Sequence, residues 1–179
     1  MGKASSNNPP INNKVSLQNP PDNRHDTVLP LPLEVEANAV AVDAACSGNP
    51  GPMEYRGIYL RTGQQIFHFG PVQGTNNIGE FLAIVHALAL LKKKNSAIPI
   101  YSDSRTAQIW VKKKKCKTTL PQTPENQPLH DMIARAEAWL LSNSYSNPII
   151  KWDTEKWGEI PADFGRKKAP SKPPRGEAQ

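Results

Sequence analysis

The chain has 179 residues, 22 basic against 16 acidic side chains, and a formal net charge of +6. This length fits one globular domain with flexible ends and argues against two full domains. No apolar run reaches the roughly 18 residues of a membrane span, and the N-terminus lacks the apolar core of a secretory signal, so we expect a soluble, cytoplasmic protein.

The two ends of the chain are rich in proline. Nine of the 18 prolines lie before Glu34 or after Lys168. Residues 1–33 also contain too little apolar surface to offset the entropy lost on ordering. We therefore predict a disordered N-terminal segment over 1–33, a folded domain over 34–168 and a disordered basic, proline-rich tail over 169–179.

The folded domain opens with three segments that have the period-two pattern of β-strands. Residues 38–47 alternate and then stop at a glycine- and proline-rich loop over 48–52. Two further alternating runs, 55–61 and 64–69, are separated by Thr62 and the glycine after it, which predicts a hairpin. We expect three antiparallel strands in sequence.

After Gly74 the apolar spacing changes to three and four, which predicts a helix. This helix has about four turns, starts near Asn77 and ends at a group of lysines, which suit a helix C-terminus. The apolar run 97–101 predicts a fourth strand, and a polar turn then leads into a second helix.

The last part of the domain predicts a proline-interrupted loop over 121–128, a helix from Leu129 and a final strand over 148–152. The complete order is βββαβααβ. Helices that bridge the later strands imply an α/β fold with a mixed sheet and helices packed on its faces.

The two cysteines and the groups of lysines limit the kinds of function that the chain can have. Cys46 and Cys116 are too few for a four-ligand zinc site, and we expect both to be reduced thiols. Lysines cluster at 92–94 and within 112–117. Such clusters suit a polyanion such as nucleic acid, although charge alone is equally well explained by a solvated surface.

Four carboxylates are candidates for chemistry. Asp43 is the most informative, because a charge inside the apolar run 39–46 is costly to bury unless a positive group compensates it. Asp103 follows the fourth strand, where open α/β sheets place their sites, and Glu80 lies in the first turn of the first helix. Taken singly, Glu80 and Asp103 could be helix caps, and Asp163 an ordinary surface acid. Together they fit a hard divalent cation that brings phosphate with it.

Three motifs carry a resemblance to a known family: Asp43-Ala-Ala-Cys-Ser-Gly-Asn-Pro-Gly-Pro52, Thr75-Asn-Asn-Ile-Gly-Glu80 and Ser102-Asp103-Ser104. Their order, spacing and placement on the first strand, first helix and fourth strand resemble ribonuclease H of type 1, including bacterial relatives, from about Val40 to Lys168. The resemblance implies the ribonuclease H-like fold. In this fold a five-stranded mixed sheet has three antiparallel and then two parallel strands, with helices on both faces.

The resemblance further implies a metal-dependent endoribonuclease that hydrolyses the RNA strand of RNA–DNA hybrids with little sequence preference. Asp43, Glu80, Asp103 and Asp163 would be its catalytic and metal-binding residues, with Asp43 bridging two Mg²⁺ ions and Mn²⁺ as an alternative metal. Cleavage would leave 5′-phosphate and 3′-hydroxyl ends. A monomer is expected.

Hybrid-binding positions also follow from the resemblance. Those assigned to the minor groove, where 2′-hydroxyls mark an RNA strand, are Cys46, Gly48, Asn49 and Asn76. Those assigned to the backbone of the DNA strand are Thr75 and Asn77 in a phosphate pocket and Trp110, Lys112 and Lys113 in a basic protrusion. For Trp110 a place in the core is an equally good interpretation.

The chain departs from the family pattern in three places. Arg105 stands where many relatives carry glutamine, which keeps hydrogen-bond donors near the hybrid but adds charge. The basic protrusion is shortened. The loop before Asp163 lacks the histidine of many cellular members; Glu155, Lys156 and Glu159 are candidate replacements or ordinary solvated charges, and the last helix of the family is cut short here.

Two other functions remain open. The same fold serves enzymes that transfer DNA strands or act as exonucleases, since a fold does not determine a function. The family-like Asn49, Thr75 and Asn76 argue against that alternative. A non-catalytic module that binds hybrids with a decayed metal site is the other alternative, and the presence of all four acids argues against it.

Overall fold

The computed structural model describes residues 29–165. Of the disordered segment predicted over 1–33, residues 1–28 lie outside the described residues, as do the tail predicted over 169–179 and residues 166–168 of the predicted domain. Leu29 and Leu31 are half-buried and pack against the core. Both residues fall within the segment predicted to be disordered, and the domain boundaries stay a prediction. Within the described range no helix is both long and apolar enough to cross a membrane.

Between Leu29 and Gly165 the chain forms five strands and four helices. They are β1 (Val40–Cys46), β2 (Gly51–Tyr59), β3 (Gln64–Gly74), α1 (Asn76–Lys93), β4 (Ile100–Ser102), α2 (Arg105–Lys113), α3 (Gln127–Ser142), β5 (Ile149–Lys151) and α4 (Thr154–Trp157). The strand order in the sheet is β3-β2-β1-β4-β5. β1, β2 and β3 pair antiparallel, whereas β4 and β5 extend the sheet in parallel. The predicted five-stranded mixed sheet is confirmed.

The hairpin strands are longer than the sequence pattern predicts. β2 begins at Gly51, inside the predicted loop, because Gly51 pairs with Gly74 at the far end of β3. β3 continues past Gly70, which has a φ of +102°, and a Cβ there would lie 2.5 Å from the carbonyl oxygen of Met53. This glycine accommodates an irregularity of the ladder that lets pairing resume beyond it.

Serine and threonine, not the acids, cap the first two helices. The Thr75 side chain accepts a hydrogen bond from the Ile78 amide at the start of α1, and the Ser104 side chain accepts one from the Ala107 amide at the start of α2. With α1 beginning at Asn76, Glu80 lies in its second turn and is 2% exposed. The predicted placement of Glu80 in the first turn is wrong, and neither Glu80 nor Asp103 is a helix cap.

α3 begins two residues before the predicted Leu129, since Pro128 stands in its first turn, where a missing amide hydrogen costs nothing. The helix ends at Ser142, and residues 143–148 form a loop. The strand that follows is short and spans Ile149–Lys151. After β5, Thr154–Trp157 adds a four-residue helix that apolar spacing did not reveal.

The sheet separates two apolar clusters. Val40 and Val42 of β1 face a large cluster that includes the apolar sides of α1, α2 and α3. Ala39 and Ala41 face a smaller cluster that contains Trp152 and is bordered by Trp157 of α4. Helices thus lie on both faces, but the three long ones share one face. The side chain of Asp43 projects from the same face of the sheet as those of Ala39 and Ala41.

Candidate active site

Three of the four predicted carboxylates meet at one end of the central strands. Asp43 is on β1, Glu80 on α1, and Asp103 directly after β4; one oxygen from each lies within 4.8 Å of the others. β1 and β4 are parallel neighbours in which Val42 pairs with Ser102, so the next residue of each strand carries an acid at the same level. Parallel pairing therefore brings Asp43 and Asp103 together, and their role as metal ligands stays a prediction.

A glycine allows α1 to bring the third acid close. A Cβ on Gly79 would lie 2.8 Å from both the Cβ of Ala44 and the sulfur of Met53, so α1 packs directly on β1 and β2 at this residue. The next residue, Glu80, accepts a hydrogen bond from the Ala44 amide through Oε1 at 3.2 Å. Its other oxygen, Oε2, is buried and has no hydrogen-bond partner among the described residues.

Burial and mutual repulsion make the cluster hard to ionise. Burial raises the pKa of Asp43 from its ordinary 3.8 to about 7; its hydrogen bond with Glu80 lowers it by a smaller amount, and the negative charges of Asp103 and Asp163 add to the rise. Burial and then the charge of Asp43 raise the pKa of Glu80 well above its usual value. Without a cation, Asp43 and Glu80 therefore hold their protons to a higher pH than ordinary carboxyls do. A divalent cation would remove that penalty, and an all-oxygen donor set suits Mg²⁺ or Mn²⁺.

Asp163 lies near this cluster but outside it. Its negative charge contributes to the raised pKa of Asp43. Its Oδ2 accepts a hydrogen bond from the Gly165 amide at 2.9 Å, and the residue is half-buried. The geometry thus joins three of the four predicted metal ligands, and the role of Asp163 stays a prediction.

The positions predicted to read the minor groove lie together on the loop after β1 and the start of α1. The Cys46 thiol donates to the carbonyl oxygen of Gly48 at 2.7 Å. Asn49 Oδ1 accepts a hydrogen bond from the Asn76 amide at 3.0 Å, which joins the loop to the helix. Thr75 caps that helix. These contacts build one continuous surface, and its use in hybrid binding stays a prediction.

The predicted backbone-binding residues divide into exposed and packed side chains. Arg105, Lys112 and Lys113 are exposed, as is Asn77 on α1. Trp110 is half-buried and meets Phe81 edge to face, with ring centroids 6.3 Å apart. Packing against the core, the alternative interpretation of Trp110, accounts for this geometry.

α2 also borders an open cleft that the sequence did not reveal. Arg105 and Lys112 line this cleft of about 400 Å³ together with Tyr145.

The loop charges Glu155 and Lys156 are exposed on α4, and Glu159 is exposed just beyond it. Their role as replacements for the missing histidine stays a prediction.

Arg56 is the functional candidate that sequence reasoning missed. It lies on β2 in register with Asp43 and donates a hydrogen bond from Nε to the carbonyl oxygen of Ala162 at 2.8 Å. A signal was present: Arg56 is a charged residue inside a predicted strand, which is the feature that singled out Asp43. The hydrogen-bond partner lies 106 residues away, so sequence spacing could not identify it.

Comparison with known proteins gives consistent matches. A family model described as RNase H matches residues 36–152. Ribonuclease HI of Rickettsia prowazekii is 33% identical over 129 residues, which cover 66% of this chain and 75% of the relative. Ribonuclease H of Legionella pneumophila, strain Philadelphia 1, is 31% identical over 120 residues, covering 63% and 78%.

Solved structures are also similar. That of LC11-RNase H1, isolated from compost, has 18% identity and a TM-score of 0.46, and the match covers 66% of this chain and 85% of the other. RNase H1 of Halobacterium salinarum NRC-1 has 19% identity and a TM-score of 0.40, covering 66% and 86%.

The residues matched by the family model make up more than half of the chain and include Asp43, Glu80 and Asp103, whereas Asp163 lies beyond them. Curated relatives above 30% identity agree with this match over most of their length. The chain therefore belongs to the RNase H family of hydrolases.

Proposed function

We propose that this chain hydrolyses the RNA strand of RNA–DNA hybrids with divalent metal ions held at the Asp43, Glu80 and Asp103 carboxylates. The observation that carries the proposal is the buried oxygen-rich cluster, in which Glu80 Oε2 lacks a partner among the described residues. An unpaired carboxylate oxygen in a buried site is costly unless a cation occupies the site. Membership of the RNase H family supplies the reaction class.

Two Mg²⁺ ions, when bound, would supply activation of the attacking water and neutralisation of charge at the leaving 3′ oxygen. We assign Asp43 a central place among the residues that would hold the ions, because Glu80, Asp103 and Asp163 all act on its pKa. Glu80 is held by the Ala44 amide through one oxygen, so the other remains available as a ligand. Asp163 would be the fourth ligand. This chemistry would leave 5′-phosphate and 3′-hydroxyl ends.

The loop after β1 and the start of α1 would face the minor groove of the hybrid. Its side chains and backbone are held by hydrogen bonds between Cys46 and Gly48 and between Asn49 and Asn76. Such a preformed surface favours recognition by shape and 2′-hydroxyls over recognition of base sequence. Exposed Lys112 and Lys113 would contact phosphates of the DNA strand.

We further propose that the active unit is a monomer in the cytoplasm. All four proposed ligands come from a single chain, which supports a monomer. Cys46 and Cys116 are free thiols, which supports a reducing compartment.

The test is cleavage of end-labelled substrates by the full 179-residue chain with Mg²⁺ or with EDTA. Parallel reactions contain an RNA–DNA hybrid, double-stranded RNA, double-stranded DNA or single-stranded RNA. We expect cutting of the hybrid alone, abolished by EDTA, with 3′ ends that a polymerase can extend. Asp43→Asn is the matched control, and it should remove cleavage while hybrid affinity falls by less than about tenfold, because a metal ligand is lost and not a phosphate contact.

Three outcomes would refute the proposal. Full activity of Asp43→Asn would place the chemistry elsewhere. Tight binding of the hybrid without cleavage by the wild-type chain would favour the non-catalytic module, and cutting of double-stranded DNA would favour a DNA-directed enzyme.

A further inference from the structure

The segment that carries Asp163 has little regular structure of its own. α4 ends at Trp157, and residues 158–165 form neither a helix nor a strand. Ile160 and Ala162 anchor the segment, because they are 1% and 0% exposed within the smaller apolar cluster. The Asp163 amide donates to the carbonyl oxygen of Ile160 at 2.8 Å. These contacts pack the turn into the cluster that Ala41 of β1 also faces, but they do not join its backbone to the sheet by hydrogen bonds.

Arg56 makes that connection from the neighbouring strand. Its Nε donates to the carbonyl oxygen of Ala162 at 2.8 Å, and its second terminal nitrogen donates to the carbonyl oxygen of Asp163 at 2.5 Å. Its guanidinium carbon lies 4.6 Å from the ring centroid of Phe164. One side chain therefore contacts three consecutive residues, with Asp163 in the middle.

The register of the sheet places this clamp beside the carboxylates. Arg56 on β2 pairs directly with Asp43 on β1, and residues paired across antiparallel strands project to the same face. The turn held by Arg56 is thereby fixed relative to Asp43. Two backbone oxygens of successive residues match the planar fork of donors that a guanidinium offers, whereas a lysine presents its donors from a single point.

We propose that Arg56 is a positioning residue that holds Asp163 at the distance from the carboxylate cluster needed for metal binding. This inference rests on the proposed function, and in particular on Asp163 as a ligand. Arg56 bonds to the backbone of Asp163 and leaves its carboxylate free of the guanidinium in the contacts described above. It therefore acts on the metal site through the position of Asp163.

Binding of Mn²⁺ to the metal-free full-length chain, followed by the electron paramagnetic resonance signal of free Mn²⁺, tests this role without substrate. Arg56→Gln removes both hydrogen bonds and should weaken Mn²⁺ binding by about tenfold, the usual scale for groups that orient a ligand. Arg56→Lys keeps the charge and the aliphatic stem but not the fork, and we expect nearly the same loss. Arg61→Gln, just beyond the end of β2, is the matched control and should bind Mn²⁺ as the wild type does.

A double-mutant comparison separates positioning of Asp163 from a general structural effect. In an Asp163→Asn background, adding Arg56→Gln should not weaken Mn²⁺ binding further, because the ligand that Arg56 positions is already lost. Hydrogen exchange over residues 158–165 should be faster in Arg56→Gln, with exchange in β1 unchanged. If Arg56→Gln does not fold, Arg56→Lys serves in both comparisons.

Mn²⁺ affinity of Arg56→Lys within twofold of the wild type would overturn the inference, as would an equal loss with and without the Asp163 carboxylate. These results are distinguishable from failure of the proposed function. If Arg56 and Asp163 prove interdependent in Mn²⁺ binding but the wild-type chain cuts no hybrid, only the nuclease proposal is refuted. If the chain cuts the hybrid but the two residues act independently on Mn²⁺ binding, only the role of Arg56 is refuted.

Discussion

The metal-free chain should lose stability as pH rises from about 4 to about 7, because over this range Asp43 ionises in the unfolded chain but stays protonated in the folded one. Its pKa is raised from an ordinary 3.8 to about 7, chiefly by burial. Between these values the unfolded chain releases the proton while the folded chain retains it. The contribution to stability is therefore fully present below about pH 4, falls as pH rises, and is lost above about pH 7.

The raised pKa of Asp43 sets the size of this loss of stability. Each pH unit in which only the folded state holds the proton changes the free energy of unfolding by about 1.4 kcal/mol. The full interval corresponds to about 4 kcal/mol, a large part of the total stability of a small domain. Glu80 acts in the same direction, because its pKa is also raised. A bound cation favours the ionised carboxylates and should reverse the trend.

Asp43→Asn provides the comparison, because asparagine has nearly the same shape and does not titrate. Urea unfolding with EDTA at several pH values between 4 and 8 measures the effect for both proteins. We expect the variant to be less sensitive to pH and more stable than the wild type at pH 8. With saturating Mg²⁺ the wild type should recover stability at pH 8 and the variant should recover much less.

Parallel stability curves for the wild type and Asp43→Asn would refute the reasoning, since both proteins would then respond to pH through other groups. Equal stabilisation of both by Mg²⁺ would place the cation elsewhere.

Three further changes test separate parts of the site. Glu80→Gln keeps the acceptor for the Ala44 amide but removes the charge of the carboxylate. The cleavage rate should therefore fall at least about 100-fold while the melting temperature is retained. A large drop in melting temperature would contradict this account. Gly79→Ala should destabilise the chain by about 1–3 kcal/mol in urea unfolding, because its Cβ would overlap the Cβ of Ala44; an unchanged midpoint would show that α1 can shift freely. Lys112→Gln should reduce the slope of hybrid affinity against salt concentration by the amount expected for about one phosphate contact. Lys115→Gln removes a 3.0 Å ion pair with Glu137 on α3, so it should lower the free energy of unfolding and change the salt slope less than Lys112→Gln does.

The sequence alone determined the order of the elements from β1 to β5, because apolar spacing differs between strands and helices and was regular over most of the domain. It also singled out Asp43, since a charge inside an apolar strand violates a local rule and needs a partner. Its proximity to Asp103 needed the structure, in which β1 and β4 pair in parallel and their carboxyl ends meet at one edge.

Element boundaries needed the tertiary structure. Gly51 belongs to β2 because pairing with the distant β3 outweighs its local preference for a turn. Glu80 was placed one turn too early, since the start of α1 depends on the cap formed by Thr75. Local preference at both places is weak, and small energies of pairing and capping decided the outcome.

The environment of Asp163 depended on the tertiary structure most of all. No sequence period links Arg56 to the carbonyl oxygens of Ala162 and Asp163, more than 100 residues away. Such contacts are selected by the packing of the whole sheet and its smaller apolar cluster. Patterns along a chain report which face a side chain occupies, whereas contacts between distant segments are determined only when those faces are assembled.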